Sequence, residues 1–284
     1  MEHNIYAIIK SIYPSFTKAE KVIADCVLAN AREMVYMTIS QFAAACNIGE
    51  TSVFRFCRRL GEPGFHAFKV DLAKAVSDSH DTPDLNDCIV SPLDSFDLML
   101  QKILNNSISV LNETYRLIDS FRLSTATQWL SEAEHICFFG TGPCSASAMS
   151  AQNRFMAICR QAEYVADSRM QMLRAAMMTP KDVAVVLCYT GKTKETLAIA
   201  EAAKNAQARV ICLCRFSRSP LAEMSDLVLL CAGNEGPCQS GAFNMKTASL
   251  FLIETLTVAY CKANPQKTDS YRARARSALS FEVM

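Results

Sequence analysis

Residues 183–204 read VAVVLCYTGKTKETLAIAEAAK. Val183–Cys188 is an unbroken apolar run of strand length. Tyr189-Thr190-Gly191-Lys192-Thr193 is a polar turn with one glycine, and a helical segment follows. The same alternation recurs around it, with further short apolar runs at Ile136–Phe139, Tyr164–Ala166, Val210–Cys214 and Leu227–Cys231. Strands separated by helices form a parallel sheet covered on both faces, so this half of the chain reads as α/β with five parallel strands.

Two strand-to-helix loops carry groups suited to an anion. The first, Gly140-Thr141-Gly142-Pro143-Cys144-Ser145, brings backbone N–H groups to a helix N-terminus. A dinucleotide site would want a third glycine, and the helix after this loop supplies none. In the second, the Thr190 and Thr193 hydroxyls, the Gly191 backbone and the Lys192 ammonium can converge on a phosphate. Taken singly, Thr193 reads more readily as a helix cap and Lys192 as a surface lysine. Two such loops on one parallel sheet meet at the carboxyl ends of its strands, where open sheets bind ligands.

Residues 1–76 read differently, as short helices. Ile5, Ile8, Ile9 and Ile12 follow helical spacing, and Thr17–Glu20 and Thr38–Gln41 have the form of capping boxes. TISQFAAACNIGETSVFRFCRRL, residues 38–60, is two helices joined by a turn at Asn47-Ile48-Gly49. The second buries Val53, Phe56, Cys57 and Leu60 and presents Glu50, Thr51, Ser52, Arg55, Arg58 and Arg59. A helix-turn-helix needs that division, one face packed on its domain and the other in the major groove. Arg55 then reaches a guanine edge and Thr51 or Ser52 a base or phosphate, with Arg58, Arg59, Thr38 and Ser40 placed for phosphates. On spacing alone, a small helical domain with a solvated charged face fits as well.

Residues 77–95 are polar and acidic with two prolines and read as a linker, which leaves 96–284 as the second domain. Lys and Arg number nine against seven Asp and Glu over 1–76, three against eight over 77–130, and 17 against 13 thereafter. The chain is therefore not a globally basic nucleic-acid binder, though a local basic face is compatible with it. No apolar run reaches the roughly 18 residues of a membrane span, and MEHNIYAIIKSIYP has no signal-peptide pattern. The 13 cysteines sit inside apolar segments and include no zinc-spaced CxxC pair, so a reduced cytoplasmic protein without structural metal is expected.

FTKAEKVIADCVLAN, TISQFAAACNIGETSVFRFCRRLG and PGFHAFKVDLA resemble the N-terminal domain of the RpiR/MurR family of bacterial regulators. FFGTGPCSASA, VAVVLCYTGKTKETLAIAEAAK, ARVICLCRFSRSPLAEMSDLVLL and KTASLFLIETL resemble the SIS (sugar isomerase) domain. The resemblance implies a flavodoxin-like sheet, double-stranded operator DNA and a phosphorylated sugar as partners, pairing into a dimer or tetramer, and no cofactor. It carries the phosphosugar site onto Gly140, Gly142, Cys144, Cys188, Thr190, Gly191 and Thr193, with Ser145, Tyr189 and Lys192 alongside. Gly49, Cys144 and Cys188 stand where the family pattern has serine, and a thiol is the weaker donor. Arg169 stands where sensor relatives have histidine and suits an acidic or phosphate group.

A sugar-phosphate isomerase or lyase with an appended helical domain is the alternative. It would need an acid/base group to move protons between adjacent carbons. Glu195 and Glu163 are the carboxylates nearest the loops in sequence, and neither sits in a recognisable catalytic constellation. His3, His66, His80 and His135 lie outside both loops. The expectation is a sensor without catalytic residues.

Overall fold

The structure, a computed structural model, describes residues 5–77, 89–233 and 241–280. They divide into two compact units, one holding the described residues up to Leu117 and the other Ile118–Gly233 with the described residues from 241 onward. Among the described helices, none is long and apolar enough to cross a membrane. His3, His80 and most of the expected linker, residues 78–88, lie outside the described residues.

The first unit is helical: α1 Ile5–Ile12, α2 Lys18–Met34, α3 Ile39–Ala45, α4 Glu50–Arg59, α5 Phe65–Ser77 and α6 Phe96–Leu117. Both expected capping boxes form. Thr17 and Thr38 each accept from the backbone of the third helical residue, while Glu20 and Gln41 accept the cap residue's own N–H. These reciprocal bonds satisfy donors that the first helical turn leaves unpaired. Ile23, Val27, Phe42, Val53, Phe56 and Phe68 are fully buried in one core. Phe56 and Phe68 meet edge-on, with ring centroids 6.1 Å apart. The sequence reading placed 96–117 at the head of the second domain, whereas in the structure α6 groups with the N-terminal helices. Lys10 Nζ lies 2.5 Å from Glu113 Oε1, a tie 103 residues long that helical periodicity does not announce.

The second unit begins with α7 Ser120–Glu132. It continues through β1 Ile136–Gly140, α8 Ser145–Met156, β2 Ala162–Tyr164, α9 Ser168–Ala176, β3 Val183–Leu187 and α10 Lys194–Asn205. β4 Arg209–Cys214, α11 Pro220–Met224, β5 Leu227–Leu230, α12 Gly241–Ala263 and α13 Pro265–Leu279 complete it. All neighbouring strands are parallel, in the order β2-β1-β3-β4-β5. This is the flavodoxin-like order, and the winding reverses between β1 and β3. β1 and β3 are buried along their whole length, which is why they read as continuous apolar runs. Cys137 and Phe139 share a core with Ile199 and Ala203 of α10, while Phe138 packs against Phe155 of α8 on the other face.

β2 differs from the reading of Tyr164–Ala166. The strand is Ala162–Tyr164, pairing with Ile136–Phe138. It lies at the sheet edge and contains a charged residue, Glu163, whose side chain is held by Arg174 and His135. The apolar triplet pointed two residues too far, because Val165 and Ala166 already lead to the Asp167 cap of α9.

Candidate functional site

The chain presents two candidate sites, one in each unit. In the first, α3 and α4 meet through a turn in which Asn47 takes φ 52°. Gly49 caps α4 with extended backbone and offers no side-chain bond to the helix. Ser40 Oγ donates to Glu50 Oε1 at 2.5 Å, tying the start of α3 to the start of α4. Thr38, Ser40, Glu50, Thr51, Arg55 and Arg58 are exposed, and Ser52 is half-buried. The opposite face is sealed, with Val53, Phe56 and Cys57 fully buried and Leu60 nearly so. Burial also holds the Cys57 thiol up at about 12.

Arg59 departs from the expected arrangement. Its guanidinium turns into the domain, donating to the Ser15 carbonyl at 2.5 Å and to Glu20 at 3.3 Å, and lies 5.7 Å from the centre of the Phe16 ring. Neighbouring helical residues point about 100° apart, so Arg58 faces solvent while Arg59 clamps α4 to the segment before α2. The exposed stripe is instead Thr51, Phe54, Arg55 and Arg58, at helical spacing. Phe54, nearly half exposed, was missed because an apolar residue beside Val53 reads as core.

In the second unit, both anion loops leave the carboxyl edge of the sheet, the first after β1 and the second after β3. Gly140 ends β1 in a tight setting. A Cβ there would come within 2.8 Å of the Cys144 carbonyl oxygen and 3.1 Å of Ala148 Cβ. The buried Gln171 amide grips the same residue twice, accepting the Gly140 N–H at 3.1 Å and donating to its carbonyl at 3.2 Å. Gly142 follows with φ +54°. Cys144 packs against Met245 of α12, and Ser145 Oγ donates to the Gly142 carbonyl at 2.7 Å. Burial pushes the Cys144 thiol up to about 11, although the Tyr189 backbone beside it acts in the opposite sense.

The second loop turns through Gly191, φ +64°, whose missing side chain leaves room for Ser219. The Cys188 thiol donates to Thr193 Oγ1 at 3.4 Å, and the Lys192 N–H donates to Thr190 Oγ1 at 3.2 Å. Thr193 occupies the N-cap of α10 without bonding the helix amides through its hydroxyl. It is thus a helix cap by position, as one reading of it expects, while its hydroxyl accepts from Cys188 instead. Thr190, Lys192 and Thr193 are exposed at the loop surface.

Thr196, Arg215 and Gly233, which the sequence reading did not place at the site, hold these loops through Thr141 and Tyr189. Thr141 Oγ1 and the buried Thr196 Oγ1 lie 2.9 Å apart. Arg215, directly after β4, donates to Tyr189 Oη at 2.7 Å, with its guanidinium over the Tyr189 and Phe216 rings. Gly233 completes this edge, since a Cβ there would lie 2.7 Å from Tyr189 Oη. Arg215 had one legible signal, its place immediately after an apolar strand. Gln171 had none, because SRMQMLR reads as an ordinary polar helix. Arg169 stands exposed at the start of α9, one strand along the same edge, where Asp167 caps its backbone N–H.

A titratable cluster lies at the opposite, amino edge. Glu134, His135, Glu163, Arg174, Thr179 and Asp182 line a cavity of about 430 Å³. Glu163 is thus bound into a network remote from both loops, and Glu195 is exposed in the first turn of α10. Among the described residues, no cluster of three or more His, Cys, Asp or Glu side chains is arranged to hold a metal.

The helix-turn-helix domain of the rpiR family matches residues 3–79, and the SIS domain matches residues 129–259. A helix-turn-helix transcriptional regulator of Haemophilus influenzae is 32% identical over 255 residues, covering 89% of this chain and 88% of the relative. The chain belongs to the rpiR family of transcriptional regulators. The regulator HexR of Pseudomonas aeruginosa is 30% identical over 226 residues, covering 80% of this chain and 78% of its own. Among solved structures, Vibrio vulnificus NanR complexed with ManNAc-6P aligns with a TM-score of 0.61 at 25% identity, covering 99% of this regulator and all of that chain. The sugar isomerase domain of an RpiR transcription factor from Sphaerobacter thermophilus aligns at 0.58 and 18% identity, covering 62% of this chain and 97% of that one, a likeness of fold. The regulator therefore carries a helix-turn-helix head and a sugar-isomerase fold, and each candidate site falls within one of them.

Proposed function

We propose that this regulator binds operator DNA in the cytoplasm as a homo-oligomer and changes its DNA affinity when a phosphorylated sugar occupies the carboxyl edge of the sheet. The observation that carries the sensing half is the junction of the two glycine loops at the winding reversal, where Thr141 meets Thr196. Gly140, Gly142, Cys144 and Ser145 line one side and Cys188, Tyr189, Thr190, Gly191, Lys192 and Thr193 the other, with Arg169 farther along the edge. Backbone N–H groups at two helix starts, hydroxyls and an ammonium suit a phosphate. NanR, aligned over its whole length, was solved with a sugar phosphate bound, which supports the same ligand class here.

On the DNA side, Arg55 reads a base edge, Thr51 and Ser52 contact bases or backbone, and Arg58, Thr38 and Ser40 fix the register on phosphates. Arg59 contributes through the fold alone. The chain performs no catalysis in this reading: Glu163 is engaged at the far edge, and the named relatives are regulators. An effector shifts DNA affinity only by binding two arrangements of the protein unequally.

Fluorescence anisotropy on operator DNA, titrated with a panel of sugar phosphates, tests the proposal. At least one should change the apparent Kd by roughly 5- to 150-fold, and Thr190→Val should remove that response while sparing DNA binding. A panel without effect would overturn the sensing half, and turnover of any sugar phosphate would overturn the non-enzymatic reading.

A further inference from the structure

One face of α6 has no partner among the described residues. Phe96, Leu100, Leu104, Ile108 and Tyr115 fall within about a third of the helix circumference, at exposures of 83%, 60%, 59%, 40% and 69%. Most of the other side of the helix is occupied: Asn106, Ser109 and Val110 are buried and Glu113 is paired with Lys10, although Leu98 there is exposed. Between Leu98 and Asn112 the only charged residue is Lys102, whose ammonium is held 2.9 Å from both oxygens of Asp94. The outer face over those turns carries leucine and isoleucine interspersed with Gln101 and Asn105.

We propose that this face is where two copies of the chain pair, α6 against α6. Two observations select a second copy. Over its central turns the stripe carries no charge, with Asp97 exposed at its N-terminal end, so it offers little to DNA or to a highly charged partner, whereas it complements itself when a two-fold axis brings like onto like. The five side chains also expose on the order of 600 Å² of mainly apolar surface, most of the roughly 800 Å² that each partner of a standard interface buries. A patch of that size is at the upper end of what isolated monomers expose, and such patches are often functional. The inference rests on the self-association proposed above and names its surface. Because α6 groups with the helix-turn-helix unit, pairing there would fix the separation of two reading heads and hence the spacing of operator half-sites.

Sedimentation velocity of the full chain, alongside L104E and I108E singly and combined, tests this. The expected result is a wild-type mass of at least two chains and a combined variant of half that mass, with circular dichroism unchanged. A folded variant that keeps the wild-type mass overturns the α6 surface while leaving self-association intact. A monomeric wild type overturns both. Because the charged variants can fail to fold, an otherwise wild-type chain carrying photoreactive benzoylphenylalanine at Gln101 gives an independent reading. Mixed light and heavy isotope chains should yield cross-links from α6 of one chain to α6 of another. Cross-links to residues 118–233 of the same chain, or to another surface of a second copy, overturn the proposal.

Discussion

Thr141 and Thr196, 55 residues apart in sequence, place their hydroxyl oxygens 2.9 Å from each other and so fasten the loop after β1 to the first turn of α10. Thr196 is fully buried, which makes this bond a fixed feature of the edge. Replacing either by valine should cost about 0.5–1.5 kcal/mol, the usual net worth of such a bond. The double substitution should cost less than the two single losses together, since both remove one interaction. Urea unfolding of the four proteins measures this, and strictly additive losses would show that the two hydroxyls are not coupled.

Arg55 and Arg59 should behave oppositely. Arg59→Ala removes the guanidinium from Glu20 and the Ser15 carbonyl and uncovers Phe16, so a loss of about 1–3 kcal/mol in stability is expected. Arg55→Ala should move stability by less than about 0.5 kcal/mol, yet weaken operator binding by about 1–3 kcal/mol if it reads a base. Thermal unfolding paired with anisotropy separates the two. A stable Arg59→Ala protein, or one with Arg55→Ala and full affinity, contradicts the assignment.

Gly191→Ala should destabilise the second loop twice over. The backbone there holds φ +64°, and the added methyl would overlap the Ser219 side chain. Such strain costs on the order of 1–3 kcal/mol. A melting temperature equal to wild type would mean that the loop adopts another course.

Glu163 should make stability pH-dependent. Burial alone would raise its pKa, but the Arg174 and His135 contacts outweigh it and hold the carboxyl below the ordinary glutamate value. The unfolded chain then binds the proton more readily, so this contribution is complete above the unfolded value and fades as pH falls through the folded one. Wild type should lose melting temperature more steeply than Glu163→Gln on acidification through and below the usual carboxylate range. Parallel curves would remove Glu163 from the account.

Thiol chemistry offers a separate check. Eleven described cysteines are free, and all but Cys26 and Cys261 are buried. Iodoacetamide applied to the native regulator near pH 8 should therefore label those two first among the described thiols. Peptide mass mapping reads the order. Rapid labelling of Cys144 or Cys188 would mean that the loops around them open far more readily than their packing implies.

Much of the second unit was legible because strands buried on both faces leave unmistakable apolar runs, and because glycines mark the loops between strand and helix. β2 was displaced for a local reason: a salt-linked glutamate inside an edge strand looks like loop. Other features depend on partners distant in sequence. Nothing around Glu113 indicates Lys10, so what α6 packs on is not legible from its own residues. The Arg58–Arg59 pair shows the same limit at short range, since adjacent arginines look alike until Ser15 and Glu20 claim one. The glycine loops were found, whereas Gln171, Thr196 and Arg215 reach the candidate site only through the fold.

The double grip of Gln171 on Gly140 bears on how the sheet edge can move. Rotating that residue would break two buried hydrogen bonds together, so the strand end stays rigid as a platform. Two residues on, Gly142 holds a left-handed backbone and its carbonyl accepts from Ser145 Oγ, so the loop leaves the platform along a defined course. An anion of the kind proposed for this edge would meet a floor already set, so little backbone freedom at Gly140 would be lost on capture.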